Sequence, residues 1–516
     1  MSIEQATLRN LEYERRWWTL GVLCVSLVMI VVANASLNVA LPTLVRDLHA
    51  SASSLQWIVD AYSLVFAGLL LTAGSLGDRY GRRLALNGGL VVFGIASLMA
   101  ALSHSATALI AARAVMGIGA AFVMPATLSV LAHVFPPDER PRAIAIWAGF
   151  AGVGAALGGV SSGWLLQHFW WGSIFLTNVG VVALALIAGA ILVPKAHEKR
   201  HAPLDPIGAL LSIVGLGTLI YTIIEAPGHG WLSATTVGTF AVSALVLVGF
   251  ARWELHVREP MLDLRFFRDP RFTAATTTIT FVFLVMFGTF FIITQYLQSV
   301  LGYSPLSAGV RILPWALAYM LSTTRSARLV ERFGQRLVVS SGLAIVGAGL
   351  LLMSRSSVHS NYPLFALALV ISAVGMGFTT APSTGAIMRS LPLEKAGVGS
   401  AVNDTTRELG GALGVAALGS ILTSSFHGSL TASVRGLPDT ATHSIGNALQ
   451  QAATLPAPRG ALLADAARHA YVHAFDATLT IAVVVAVVAA GTISWLLRPN
   501  ATQPVEAEGI AELEAA

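Results

Sequence analysis

Gly74-Ser75-Leu76-Gly77-Asp78-Arg79-Tyr80-Gly81-Arg82-Arg83 closes one apolar stretch and opens the next, and a second version of it stands 253 residues further on. In Ala327-Arg328-Leu329-Val330-Glu331-Arg332-Phe333-Gly334-Gln335-Arg336, Glu331 falls over Asp78, Arg332 over Arg79, Gly334 over Gly81 and Arg336 over Arg83. Another pair of stretches, Pro137–Ala145 and Pro392–Ser400, aligns at an offset of 255 and sets Glu394 over Glu139. Two motifs at nearly one offset mark a duplicated half.

What is duplicated is a set of apolar helices. The chain has 516 residues, 55% hydrophobic and 11% charged, with a mean hydropathy of +0.72. A soluble domain carries about 25% charged residues. The balance excludes a soluble enzyme, a disordered chain, a collagen-like fibre and a disulfide scaffold. A membrane-crossing helix takes about 20 apolar residues. Fourteen such stretches are readable, near 17–40, 55–76, 84–103, 107–132, 142–165, 171–193, 206–226, 234–253, 272–297, 305–324, 337–354, 362–388, 397–424 and 472–497. The first is too long for a signal-peptide core, so it reads as a retained span. Cys24 is the single cysteine, which rules out a disulfide or a cysteine-built metal site within one chain.

Charge sets the orientation. With the N-terminus inside, 23 of the 31 Lys and Arg residues fall on inner segments, 5 on outer ones and 3, Arg113, Arg311 and Arg407, within spans. This is a strong positive-inside asymmetry. It places both termini in the cytoplasm and explains the isoelectric point near 9.5 without nucleic acid. Segment 425–470 then faces outward, with short surface helices expected around 445–455 and 461–470.

Six spans per half give an all-α membrane protein of two six-helix bundles with two inserted helices. The expected organisation is a cytoplasmic segment 1–16, a first bundle 17–193, inserted helices and a loop 194–270, a second bundle 271–497 carrying the extracytoplasmic loop 425–470, and a tail 498–516. Two like halves around a central site is an arrangement of transporters that work by rocking. At this point the chain resembles the major facilitator superfamily in its 14-span drug:proton antiporter branch. The resemblance covers nearly the whole chain. It is carried by Gly74–Arg83 after span 2, by Ala112–Pro125 in span 4 and by Asn403–Gly414 in span 13.

The residue roles follow from charge, depth and that resemblance. Gly74, Asp78, Arg79, Gly81, Arg82 and Arg83, with Glu331, Arg332, Gly334 and Arg336 in the repeat, are expected to form a conformational latch of charge-assisted hydrogen bonds and tight turns. Arg113 sits ~9 Å into span 4, where an unpaired charge costs ~2.5–3.5 kcal/mol or more. The resemblance ties it to proton coupling, and Asp60, at similar depth in span 2, is its expected partner. Asp404, Arg407 and Glu408 share one face of span 13 by their i,i+3 and i,i+4 spacing. Two carboxylates near one guanidinium cannot both be neutralised by it, which suits one of them to carry a proton. Asn34, Asn38, Trp57, Tyr62, Glu225, Tyr296 and Arg311 are candidates for substrate contact. Gly154, Gly158, Gly159 and Gly163 are small-xxx-small pairs for helix packing in span 5. The family's antiporter motif has a proline where this chain has Gly159 and a glycine where it has Ser162. The acid usual in span 1 is Ala33 here.

These readings add up to a proton-coupled exporter of amphipathic, cationic compounds, not an enzyme, working by alternating access. The alternatives are a dedicated exporter or flippase of a lipid or secondary metabolite, and a non-transporting sensor or scaffold. No P-loop appears, no metal spacing is present and no cofactor is expected, the proton gradient being the energy source. The expected partners are membrane lipid, a small amphipathic substrate and protons, with no nucleic acid and a monomeric chain. An Arg to Lys ratio of 28 to 3 points to a GC-rich bacterial genome and a bacterial cytoplasmic membrane.

Overall fold

A computed structural model describes residues 3–48, 52–194, 205–258, 260–358, 362–434, 442 and 444–498. Among them every regular element is helical. The first six are α1 (Ile3–Asp47), α2 (Ala52–Tyr80), α3 (Arg82–Ala101), α4 (Ala106–Val134), α5 (Arg140–His168) and α6 (Ser173–Leu192). The inserted pair is α7 (Pro206–His229) and α8 (Ala234–His256). Then follow α9 (Pro270–Gln295), α10 (Pro305–Met353), α11 (Tyr362–Arg389), α12 (Ala396–Ser433), α13 (Ile445–Thr454) and α14 (Ala457–Leu496).

Local chemistry fixes the helix ends. Ser105, Asp205, Ser233, Asp269 and Ser304 each accept a backbone N–H of the helix they precede, which satisfies one of its otherwise unpaired first-turn donors. Prolines begin α7, α9 and α10, where no N–H is needed. Gly81 (φ +107°) turns α2 into α3, and Gly334 (φ +79°) breaks α10 into 305–333 and 335–353. Both are backbone conformations that glycine adopts freely. Counting the two parts of α10 separately and leaving out the ten-residue α13 gives fourteen long helices among the described residues. Thirteen segments of the described residues are long and apolar enough to cross a membrane; residues 305–333, with Arg311 and Pro314 inside them, are not one of these and stand where the tenth span was expected.

Each half has its own apolar core. One runs through α1–α6, around Leu27, Phe93, Met116 and Phe175. The other runs through α9–α14 and takes in Leu216 of α7 and Phe250 of α8. The duplication reappears in the packing. A Cβ on Gly89 of α3 would come within 2.8 Å of the Gly119 carbonyl of α4, and one on Gly342 within 2.8 Å of the Gly375 carbonyl of α11. The two sites are offset by 253 and 256 residues, so the internal repeat extends to where the backbones touch. The outward faces carry exposed aliphatic side chains such as Leu184, Ile187 and Ile191 of α6, Leu245 of α8 and Val487 of α14, as a lipid-facing surface requires.

The halves meet along α2–α12 and α5–α10, and α7 packs against both α2 and α12. Glycines on α5 divide between two neighbours. Gly154 and Gly158 lie against Val28, Val32 and Ala35 of α1, while Gly159 and Gly163 lie against Gly309 and Leu306 of α10. The segment expected as a loop at 425–470 is mostly helix: α12 continues to Ser433 and α14 already begins at Ala457. Among the described residues of this segment α13 is the one separate short helix, and residues 461–470 belong to the early turns of α14. The physical reason is burial. Phe426, Leu430, Leu463, Ala467 and Ala470 are all buried, so the polar-looking ends of both helices still have an apolar face to pack.

Candidate functional site

At one face of the bundle the first half grips the second. Asp78, at the end of α2, accepts hydrogen bonds from the backbone N–H groups of Gly397 (2.9 Å) and Val398 (3.1 Å), the first turn of α12. A carboxylate at a helix N-terminus satisfies unpaired donors and meets the positive end of the helix dipole. Arg82 completes the grip. Its Nε lies 3.3 Å from Asp78 Oδ1 and its Nη2 donates to the Leu393 carbonyl at 2.7 Å. The contact is possible because two glycines face each other: a Cβ on Gly74 would sit 2.5 Å from the Gly397 carbonyl oxygen, and one on Gly397 2.6 Å from that of Gly74. Arg83 turns the other way and donates to the Ala190 carbonyl of α6 at 2.6 Å.

The second version of the motif is built differently. Gly334 makes the same turn, and Arg336 reaches Ser494 Oγ of α14 at 3.3 Å. Glu331 and Arg332 are exposed, with Arg332 over the Phe333 ring. No side chain caps the N-terminus of α5. Its preceding residue, Glu139, is engaged instead by Arg16 of α1, whose Nε and Nη2 lie 2.7 and 2.9 Å from the two carboxylate oxygens. The hydrogen bond from Arg16, together with the charges of Arg16 and Arg142, holds the Glu139 carboxyl below the usual carboxylate range. The structure therefore brings Gly74, Asp78 and Arg82 of the expected latch to the other half. It leaves Arg79 over Tyr80 and the repeat's Glu331 and Arg332 outside that contact.

Deeper in the bundle, polar residues of both halves converge. Arg113 of α4 is fully buried. Its Nε donates to the Ile58 carbonyl (3.0 Å), its Nη2 to Asn34 Oδ1 (3.2 Å), and its guanidinium lies 4.3 Å from the centre of the Tyr62 ring. Arg113 thus takes Asn34 of α1 as a side-chain hydrogen-bond partner, and the charge of Asp60 acts on it as well. A guanidinium has donors enough for a carbonyl and an amide, and the ring face supplies a further attraction. Tyr62 feels both Arg113 and, from the other half, Glu408.

On α12, Asp404 is 1% exposed and Arg407 8% exposed. Arg407 Nη1 lies 3.6 Å from Asp404 Oδ1, and Asn403 donates to the same carboxylate at 3.1 Å while accepting from Thr384 at 3.0 Å. The Arg407 guanidinium is flanked by the Phe283 ring at 4.5 Å and by the Trp147 ring at 5.5 Å. Trp147 belongs to α5, so this cation too spans the interface. Glu408 is the neighbour of both charges. Asp404 Oδ2, Arg407 Nη1, Arg113 Nη1 and Tyr62 Oη are buried without a hydrogen-bond partner in the protein. Unsatisfied buried polar atoms of this kind accompany sites that exchange protons, water or ligand. Phe283 and Thr384 join the cluster only through the fold; their sequence neighbourhoods look like ordinary apolar helix.

The remaining candidates are placed elsewhere. Trp57 stacks on Tyr221 of α7 at 6.2 Å, and Glu225 pairs with His229 at 3.5 Å near the end of that helix. Tyr296 is fully buried in the second half, between Phe475 (4.8 Å) and Phe365 (5.5 Å), and donates to the Ser357 carbonyl. It packs the core rather than facing the central cluster, because α9 ends in a π-helical turn there. Arg311 lies over the Tyr303 ring at 3.8 Å and the Tyr362 ring at 5.4 Å, away from the cluster. The side chain of Asn38 lies outside the described residues. Ala33, where the family's acid was expected, is buried.

Comparison with known proteins bears on the family and the fold. Residues 23–415 match the Major Facilitator Superfamily. The chain is 35% identical to the multidrug efflux pump LfrA of Mycolicibacterium smegmatis, over 94% of this chain and 97% of that one. It is 37% identical to the methyl viologen resistance protein SmvA of Salmonella typhimurium, over 90% and 95%. Among solved structures, a bacterial homologue of the human lysosomal transporter Spinster superposes with a TM-score of 0.59 at 18% identity, covering 95% of this chain and 99% of that one. The all-helical two-bundle architecture, the internal repeat and the matched length identify a multi-pass membrane transporter, not an enzyme: the chain belongs to the Major Facilitator Superfamily.

Proposed function

We propose that this chain exports amphipathic cations across the cytoplasmic membrane of a bacterium, driven by protons moving the other way. The observation that carries the reading is the cluster Asp404–Arg407–Glu408, in which the buried Asp404 pairs with Arg407, the partly buried Glu408 feels both charges, and aromatic rings of both halves flank the guanidinium. Arg407 balances one negative charge. The other is balanced by a proton or by a cationic substrate, and one carboxylate cannot hold both. This competition is antiport in its simplest form. The flanking rings of Trp147, Phe283 and Tyr62 suit a flat or lipophilic cation. Because LfrA and SmvA span nearly the same length at 35% and 37% identity, their efflux and methyl viologen resistance support this substrate class.

Glu408 is the proton carrier in this scheme. Arg113, with Asn34 and Tyr62, is its positive counterpart in the first half, and each rocking step changes how near the two stand. The Asp78 grip on α12 holds the halves together at its own face, which the charge asymmetry makes cytoplasmic; releasing it opens the site to that side. No cofactor takes part.

The test is transport in proteoliposomes under an imposed pH gradient, with a fluorescent lipophilic cation as substrate, for the wild type and Glu408→Gln. The expected result is gradient-driven flux in the wild type and its loss in a variant that still folds. Unchanged flux in Glu408→Gln removes the proposed carrier. No flux in a folded wild type points to a dedicated lipid or metabolite substrate.

A further inference from the structure

The inserted helices carry a second buried acidic group, far along the chain from the central cluster. Glu254, in the last turn of α8, is 3% exposed. Its Oε2 accepts the backbone N–H of Leu262 at 2.9 Å. Its Oε1 is buried with no donor from the protein and faces the carboxylate of Asp205. The two oxygens converge on Gly208, where a Cβ would strike both. Asp205 caps α7 by accepting from Gly208 N at 2.8 Å and takes the Trp253 indole N–H on both oxygens, at 2.8 and 3.0 Å. Among the described residues neither carboxylate has an ion pair. Among the described residues the cation that acts on Glu254 is Lys395, whose Nζ lies 3.4 Å from the Pro260 carbonyl.

Two carboxylate oxygens face to face are both acceptors, and burial makes that arrangement costly unless a hydrogen stands between them. We infer that Asp205 and Glu254 form an acid pair sharing one proton, a protonation site separate from the transport cluster that ties the inserted hairpin to the second half. The tie has a definite route. Glu254 holds Leu262, which is buried with Met261 in the second core. The Pro260 carbonyl beside them holds Lys395, and Lys395 immediately precedes α12, whose first turn is what Asp78 grips. Removing the proton leaves two like charges in contact, separates the pair and frees the 260–263 segment, so the site couples proton concentration at the Asp78 face to the anchorage of α12.

The experiment uses the full chain in liposomes, in a Glu408→Gln background so that the central cluster does not contribute its own proton at that position. Infrared spectra at neutral pH should contain a protonated-carboxyl C=O stretch that Glu254→Gln removes and that Asp205→Asn removes as well, since one proton serves both groups. Hydrogen exchange at residues 261–263 gives a second readout. In the chain with Glu254 intact it should accelerate on raising the pH by at least tenfold beyond the intrinsic rise. In Glu254→Gln, whose amide oxygen still accepts from Leu262, it should follow the intrinsic rate. A spectrum in which neither substitution alters a carboxyl band overturns the proposal. So does a band that appears only after sodium and divalent ions are removed, which would make a metal cation the bridging group. If Glu254→Gln does not fold, Asp205→Asn alone decides the outcome.

Discussion

Single residues matter here through what they allow rather than through chemical exotica. Gly74 and Gly397 have no side chain between them, and the Asp78 hydrogen bonds to α12 exist because of it. Gly74→Ala places a methyl group against a backbone carbonyl, an overpacking that costs about 1–3 kcal/mol. The closed arrangement at this face should lose stability by that amount. Transport should fall about tenfold or more for each 1.4 kcal/mol by which closure limits the cycle, while the purified chain keeps its helical content. Flux at the wild-type rate would show that this contact is not part of the cycle. Asp78 and Gly81 could be picked out from the repeated motif. Gly397 could not, since nothing in its own neighbourhood distinguishes a glycine that faces another helix from one that faces lipid.

At the level of elements, helices are tied by a few polar contacts placed where an apolar surface ends. Arg16 and Glu139 join α1 to the start of α5 through two hydrogen bonds. Arg16 lowers the Glu139 carboxyl below its ordinary value of 4.5. A carboxylate whose pKa is lower in the folded chain contributes stability that is present above its unfolded pKa and lost as pH falls through the folded one. Thermal unfolding in detergent should therefore separate wild type from Glu139→Gln at neutral pH, with wild type the more stable. The two curves should converge as pH falls below the ordinary carboxylate range and through the lowered pKa of the folded carboxyl. A gap that stays constant down to acid pH would mean that the substitution acts through packing instead. The helices themselves were legible as apolar runs, with a turn at Gly81 and its repeat at Gly334. Their lengths at 425–470 were not, because a helix end with one apolar face looks like a loop until its packing partners are known.

For the whole molecule, the two halves are near-copies that make unlike contacts. The first half's Asp78 grips α12, while the second half's Glu331 stands exposed and α5 is held by Arg16 instead. Rocking between two access states requires the Asp78 face to part. Spin labels on Tyr80 and Glu394, both exposed on that face, in a Cys24→Ser chain report the separation directly. One short distance should dominate in the resting chain, and a second, longer one should appear with substrate and a pH gradient. A single distance under all conditions would exclude this motion. In that motion α7, stacked on α2 through Trp57 and Tyr221 and followed by a turn whose Trp231 donates to Ser420 of α12 at 3.2 Å, has to move with the parting halves or slide along one of them.

The sequence by itself determined the membrane class, the two-bundle architecture, the inserted pair and the acidic face of α12. Each of these depends on local composition, periodicity or repetition, and i,i+4 geometry places Asp404 and Glu408 together with no help from the rest of the chain. The partners came from packing between helices. Arg113 meets Asn34 and Tyr62. Arg407 rests between Phe283 and Trp147, and Glu254 finds Asp205 some fifty residues away. A buried charge takes whatever the packing of neighbouring helices brings within reach, and which helices become neighbours is settled by the shape of their apolar faces, which residue spacing along one helix does not encode.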